Sequence, residues 1–233
     1  MNKDNLSLLQ ENLRYLGFGD TLPFDDQLEQ EVGKGQKEFH LVTAAHFDEW
    51  SKLEATLYFH KDDQQNMYFF TKYTATLSYL GNPDLSRTHT FYIFKGSGVT
   101  LKEAFNLLQG RAVNKDLTNL DGEKYNAWIQ LDFGARMTSN NNYKVRQFRV
   151  QHGYDLEKVL STYPIQELGT EALKLNLIRS LKKGNIHPVT FEKANKIEKM
   201  YIEACPQFKT ISIYSLAVRA AQHLELKRIK GSK

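Results

Sequence analysis

Cys205 is the single cysteine among 233 residues, so no internal disulfide can form and no cysteine-based zinc cluster can be assembled. Long hydrophobic runs are missing as well: nothing approaches the roughly 18 consecutive apolar residues that a membrane helix needs. The chain opens Met1-Asn2-Lys3-Asp4 and passes straight into a leucine pattern. The charged start, apolar run and small-residue cleavage site of a signal peptide are not there. Together these absences predict a cytoplasmic protein without a membrane partner.

Signatures of catalysis and of cofactor binding are missing too. The seven histidines are scattered, with no His-Glu-x-x-His helix and no pair at metal-ligand spacing. His46-Phe-Asp48-Glu49 and His60-Lys-Asp62-Asp63 could supply mixed ligands, but each lies in a polar, loop-like stretch and is read as solvated surface. No metal is expected. The Gly-x-Ser-x-Gly nucleophile motif does not occur. Phe94-Lys-Gly96-Ser-Gly98-Val-Thr100 sets a Gly-x-Gly turn before a helix N-terminus, where backbone N–H groups could hold a phosphate. It lacks the third glycine of a dinucleotide fingerprint and the Gly-Lys-Ser/Thr ending of a P-loop. A strand-to-helix turn without a cofactor is therefore expected. No catalytic residue can be named, and the chain is read as non-enzymatic, the alternative being an enzyme whose site assembles only in the fold.

What the chain does have is globular material. Hydrophobic residues make up 41% and charged residues 25%, enough to bury a core in one to three domains. The charge is unevenly spread: residues 1–100 carry nine Lys/Arg against fourteen Asp/Glu, net −5, and residues 101–233 carry twenty-two against thirteen, net +9. Such asymmetry fits either an anionic partner for the second half or a solvated surface.

Periodicity predicts an α+β protein. Asp4 or Asn5 can cap a first helix whose Leu6, Leu9, Leu13 and Leu16 form one face, stopped by Gly17 and Gly19. Thr100-Leu-Lys-Glu103 is a capping box opening a helix with Leu101, Ala104, Phe105, Leu107 and Leu108, closed by Gly110. Asp155 caps a short helix over Leu156 to Leu160. Another runs from Glu171 to Lys183 on Leu173, Leu177 and Leu181. Leu53, Ala55, Leu57 and Phe59 alternate with polar residues as a half-buried strand should. Tyr125, Ala127, Ile129, Leu131 and Phe133 do the same, which places Trp128 on the polar face. Asp121-Gly122 suits a type I′ hairpin, and Asn140-Asn141-Asn142 turns the chain into a third strand, Tyr143 to Val150.

The spacing also suggests a repeat. Helices end at Gly35, Gly110 and Gly184, steps of 75 and 74 residues, while Lys52, Lys124 and Lys196 recur 72 apart. Apolar residues stand eleven before each glycine (Phe24, Val99, Leu173) and three before it (Val32, Leu107, Leu181). This predicts a unit of a short helix followed by an antiparallel β-meander, with two clear copies and a divergent third. In the third, Met200, Ile202 and Ala204 alternate in the opposite phase, so a bulge or slip is expected there. The organisation read from this is an amphipathic helix over 1–22 and units over 23–90, 91–165 and 166–233, the last with a basic C-terminal helix or tail.

Five strings stand out: Leu107-Leu-Gln-Gly-Arg-Ala-Val113, Lys124-Tyr-Asn-Ala-Trp-Ile-Gln-Leu-Asp-Phe133, Pro164-Ile-Gln-Glu-Leu168, Ser180-Leu-Lys-Lys-Gly-Asn185 and Glu203-Ala-Cys-Pro-Gln-Phe-Lys-Thr-Ile211. On these, residues from about 92 to 216 resemble an uncharacterised bacterial domain family of conjugative and other mobile-element proteins. The resemblance implies a link to DNA processing by association alone, with no catalytic residues to carry over.

These observations converge on a binding module. Lys144, Arg146 and Arg149 share one predicted strand with Tyr143 and Phe148. Arg136 precedes it, Arg111 follows the second glycine, Lys182 and Lys183 close a helix, and Lys227, Arg228, Lys230 and Lys233 end the chain. Cations interleaved with aromatics can hold phosphates and stack bases, with Trp128 as a candidate contact. DNA or RNA is thus the first expected partner and a protein, in a scaffolding role, the second. The same residues also suit an edge strand guarded by charge and a helix C-terminus favoured by cations.

Overall fold

A computed structural model of the chain describes residues 3–19, 24–119, 121–193 and 196–217. The basic tail from Lys227 to Lys233 lies outside them. The chain divides into two compact units, residues 1–105 and 106–233. The four segments read from the sequence are therefore regrouped. The 1–22 helix belongs to the first unit, and the stretches 106–165 and 166–217 build a single core.

The first unit is a four-stranded antiparallel meander with two helices on one face. Its strands β1 (Glu38–Ala45), β2 (Ser51–Asp62), β3 (Met67–Tyr79) and β4 (Asn82–Tyr92) lie in chain order across the sheet. The expected alternation holds: Leu53, Ala55, Leu57 and Phe59 of β2 are buried, as are Phe39, Leu41, Tyr73, Ala75 and Leu77 on its neighbours. Helix α1 (Lys3–Tyr15) buries Leu9 and Leu13 against this face, with Leu16 just beyond it, and α2 (Phe24–Lys34) buries Leu28 and Val32. Phe18 sets its ring edge-on to Tyr73 at 5.0 Å. The cap of α1 differs from expectation, since the helix already includes Asp4 and Asn5. Asn5 is instead buried, and its amide bonds the Tyr68 backbone twice, N–H to Oδ1 at 2.8 Å and Nδ2 to the carbonyl at 2.9 Å. It behaves as one extra strand residue for β3.

Helix α3 (Leu101–Leu108) contains the division between the units. Its capping box forms as read: Glu103 Oε2 accepts from the Thr100 N–H at 2.9 Å, and Thr100 Oγ1 accepts from the Glu103 N–H at 3.3 Å. In the second unit, β5 (Val113–Thr118), β6 (Lys124–Asp132) and β7 (Lys144–Arg149) form one antiparallel sheet. A second comprises β8 (His187–Lys193), β9 (Lys196–Cys205) and β10 (Thr210–Ser215). Helix α4 (Leu156–Leu160) is capped by Asp155, whose carboxylate accepts from the Lys158 N–H at 3.1 Å. Helix α5 (Glu171–Lys182) buries Leu177, Ile178 and Leu181, but Leu173 is half exposed. A shared core holds Trp128, Tyr154, Leu160, Leu177, Leu181 and Ile202.

Two local expectations are corrected. The 119–123 hairpin is not a two-residue type I′ turn: Gly122 sits at φ +84°, its N–H donates to Asn119 O, and Asn119 N–H donates to Glu123 O. That is a three-residue loop with its glycine in the left-handed position. And β9 pairs without a register shift to β8 and β10, so no bulge accounts for its phase. Helix, positive-φ glycine and antiparallel strands occur in this order three times, with Gly35, Gly110 and Gly184 at φ +68°, +89° and +77°.

His89 of β4 lies on the buried face opposite Ala75 and against the Phe91 ring at 4.8 Å. Burial pushes its pKa down to about 4. The unfolded chain therefore takes up a proton near pH 6.5 that the folded unit refuses until about pH 4. Stability from this group is complete above pH 6.5 and falls as the pH drops toward 4, by about 3 kcal/mol in full. Urea unfolding at pH 7 and pH 4.5 should show this loss, and His89→Leu should remove most of that pH dependence.

Candidate nucleic-acid interface

The basic strand does not form one cationic face. Cross-strand pairing sets Lys144 opposite Asp132, Arg146 opposite Gln130 and Phe148 opposite Trp128, whereas Arg149 lies opposite Ala127 on the other face of the sheet. Arg146 is bound to Asp132, Nε to Oδ2 at 2.7 Å. That hydrogen bond, with the Gly134 and Ala135 N–H groups, holds the Asp132 carboxyl below its usual range. Arg149 covers the Tyr125 ring at 4.2 Å, and Tyr143 meets Phe133 edge-on at 4.7 Å. Lys144, Arg136, Lys182 and Lys183 are exposed, the last two where a helix C-terminus favours cations.

Two candidates are structural. Trp128 is 6% exposed and packs edge-on against Tyr154 at 5.5 Å, so its ring is not offered to a base. Arg111 donates from Nε to Gly184 O at 2.8 Å and from its terminal nitrogens to the Gln109 and Asn106 side chains. Asn106 Nδ2 in turn donates to Lys183 O at 2.6 Å. These two residues thus occupy carbonyls that end α5, the orphan acceptors of any helix terminus.

The Gly-x-Gly segment is a turn, as read. Lys95 (φ +48°) and Gly96 (φ +73°) form the centre of a tight hairpin in which Phe94 and Ser97 exchange both backbone bonds at 2.9 Å. A Cβ on Gly96 would stand 2.6 Å from Asn12 Oδ1, so close approach to α1 accounts for that glycine. The two His/Asp clusters serve local structure: Asp48 Oδ1 accepts from the Trp50 and Ser51 N–H groups, Asp62 Oδ1 from those of Gln64 and Gln65, and His60 pairs with Glu38. Among the described residues, no group of three or more His, Cys, Asp or Glu could hold a metal ion.

A groove of about 600 Å³ in the second unit is lined by Glu157, Tyr163, Gln166, Leu168, Lys174 and Glu192. Its polar groups are matched to each other, Lys174 with Glu157 at 3.4 Å and Gln166 with Glu192 at 2.9 Å.

Reading by strand alternation missed a different surface, the face of the first sheet turned away from the helices. Register places His40, Tyr58, Lys72 and Tyr92 in one row across all four strands. Neighbouring strands are about 4.8 Å apart, so the row presents three rings and one cation in a line. His40 and Tyr58 have ring centroids 6.4 Å apart, Lys72 Nζ lies 5.2 Å from the Tyr58 ring, and Tyr92 is 62% exposed. The next rows are Val42, Thr56, Thr74, Thr90 and then Ala44, Glu54, Thr76, Thr88, whose paired threonine hydroxyls bond at 3.0 and 2.9 Å. Two carboxylates on this face are paired, Glu38 with His60 and Glu54 with Lys52. Much of the acidic excess of the first half sits on the opposite layer, with Glu11 on α1 and Asp25, Asp26, Glu29 and Glu31 on α2.

No protein-family model matches the chain, and neither does any curated protein or any solved structure.

Proposed function

We propose that the protein is a non-catalytic binding module that takes single-stranded nucleic acid on the open face of the first sheet. The observation that carries this reading is the His40–Tyr58–Lys72–Tyr92 row. Aromatic side chains on an open antiparallel sheet stack unpaired bases, and a cation among them meets the backbone. The resemblance of residues 92–216 to mobile-element proteins favours nucleic acid over a protein partner in this reading.

Stacking and ion pairing separate in a titration. Fluorescence anisotropy with a labelled 12-mer of single-stranded DNA or RNA should show Tyr58→Ala and Tyr92→Ala each weakening binding by about 1–3 kcal/mol, with little change in salt dependence. Lys72→Ala should flatten the log–log salt slope by about 0.7. If neither strand type binds at micromolar protein and low salt, or if the tyrosine variants bind as wild type does, the reading is wrong.

The three helix–glycine–meander segments are, in our reading, copies of one unit. Counted from each glycine, the eighteenth residue is buried in all three: Leu53, Trp128 and Ile202. This reading fails if the segments do not superpose with those three residues in equivalent places.

A further inference from the structure

Strand β1 is an edge of the first sheet, and beyond Glu38 at its start its free side carries none of the usual protection. Lys61 donates to Lys37 O at 2.9 Å, and with the observed register this makes 39, 41, 43 and 45 the residues that bond to β2. In an antiparallel ladder the intervening residues then turn their N–H and C=O groups away from β2. Those are Glu38, His40, Val42 and Ala44, all exposed, and no backbone hydrogen bond from another described segment reaches them. Natural edges are blunted by lysine, proline, bulges or short length. Strand β7 carries Lys144, Arg146 and Arg149, β8 carries Pro188, and β4 breaks register between Leu77 and Tyr79 of its partner. Strand β1, Glu-Phe-His-Leu-Val-Thr-Ala-Ala, runs eight residues with unbroken pairing and no lysine or proline.

We propose that this edge pairs with the β1 edge of a second copy, joining two first sheets into one eight-stranded antiparallel sheet. A two-fold axis generates an antiparallel pair from two copies of one strand, so the contact is self-complementary and closes at a dimer. Setting Val42 on the axis puts His40 opposite the second copy's Ala44 and Glu38 opposite its His46. Outward backbone groups then meet their counterparts in roughly six N–H···O bonds. The side chains agree: two valines pack on the axis, where Val42 is 56% exposed, and no like charges stand opposite each other. Moving the axis to the next outward residue, His40, would set His40 against His40 and leave Glu38 facing Val42. The pairing also puts the open faces of the two copies on the same side of the joined sheet, each His40–Tyr58–Lys72–Tyr92 row meeting the other copy's Ala44 row. It stands on the edge geometry alone, whatever the open faces bind.

The test is sedimentation velocity of the full chain between about 1 and 100 μM, with Val42→Lys as the disrupting variant. A dimer is expected for the wild type. Two lysines on the axis should raise the dissociation constant by at least about 100-fold, because like charges directly opposite oppose pairing. Val42 is exposed, so at protein concentrations low enough for both to be monomeric the unfolding curves of the variant and the wild type should match. A second variant does not depend on dissociation: Val42→Cys in a Cys205→Ser background. Opposed residues of a hydrogen-bonded pair lie about 5.5 Å apart between Cα atoms, within disulfide reach. Mild oxidation should link the dimer through Val42→Cys but not through Thr90→Cys on the open face. A monomer at every concentration overturns the proposal. So does a dimer that survives Val42→Lys, or one that Val42→Cys does not link.

Discussion

Trp128→Ala is expected to cost the second unit about 3–5 kcal/mol, the range for removing a buried large aromatic. Trp128 is 6% exposed, within the core that also holds Tyr154, Leu160, Leu177, Leu181 and Ile202. Removing the indole leaves a cavity beside Tyr154 in a core to which α4, α5 and both sheets of that unit contribute residues, and a packed core of this kind collapses only partly around a cavity. Urea unfolding followed by tryptophan emission and far-ultraviolet circular dichroism measures the loss. The emission change must be read against the remaining Trp50. A variant of wild-type stability would mean that the indole lies on the surface. Trp128→Phe keeps most of the packing and should recover more than half of the loss.

Gly184→Ala is the second large effect, a loss of about 3 kcal/mol or more through two named causes. Gly184 has φ +77°, a conformation costly for alanine. An added Cβ would also stand 2.8 Å from Ala112 O, 2.9 Å from Val113 Cγ2 and 3.1 Å from Asn106 Cβ. Two of these neighbours are backbone or backbone-linked, so the start of β5 and the end of α3 would have to shift. The shift would also strain Arg111 and Asn106, which hold the last carbonyls of α5. At Gly35, also at positive φ (+68°), a Cβ would meet nothing within 4 Å. Gly35→Ala therefore isolates the conformational cost and should lose only about 1 kcal/mol. Thermal unfolding of the two variants side by side tests the difference.

Much of the secondary structure was legible because its causes are local. The Thr100–Glu103 box, the Asp155 cap and the stops at Gly35, Gly110 and Gly184 need only neighbours in sequence to act. So does the two-residue alternation of β2, since one of its faces meets helices and the other meets solvent. Strand β6 misled for the opposite reason. It buries Ala127, Ile129 and Leu131 on one side and Trp128 on the other, and a strand covered on both faces has no polar face for alternation to reveal. In the repeat proposed above, counting from the glycines would put Trp128 level with Leu53 and Ile202.

The candidate interface was less legible. Lys144, Arg146 and Arg149 look like one cluster in the chain, but the alternation of a strand sends Arg149 to the opposite face from the other two. Arg146 belongs to Asp132, and Arg111 is drawn to helix-end carbonyls supplied by residues about seventy positions away. The ring row of the first sheet joins positions 40, 58, 72 and 92, separations that follow no sequence period. Their alignment depends on hairpin lengths and on the register shift between Tyr58 and Phe59.

By itself, then, the sequence determined the α+β character, the helix caps and stops, and the order of helix, glycine and strands, because backbone hydrogen bonding and periodic burial act over a few residues. It also determined the opposed charge of the two halves, which is a matter of composition. The tertiary structure decided that the last two meanders share one core, that Trp128 lies inside that core while Arg111 binds the end of α5, and that His40, Tyr58, Lys72 and Tyr92 meet on an open face. Those outcomes depend on which strands pair and in what register, and pairing is settled by burial summed over residues far apart in the chain.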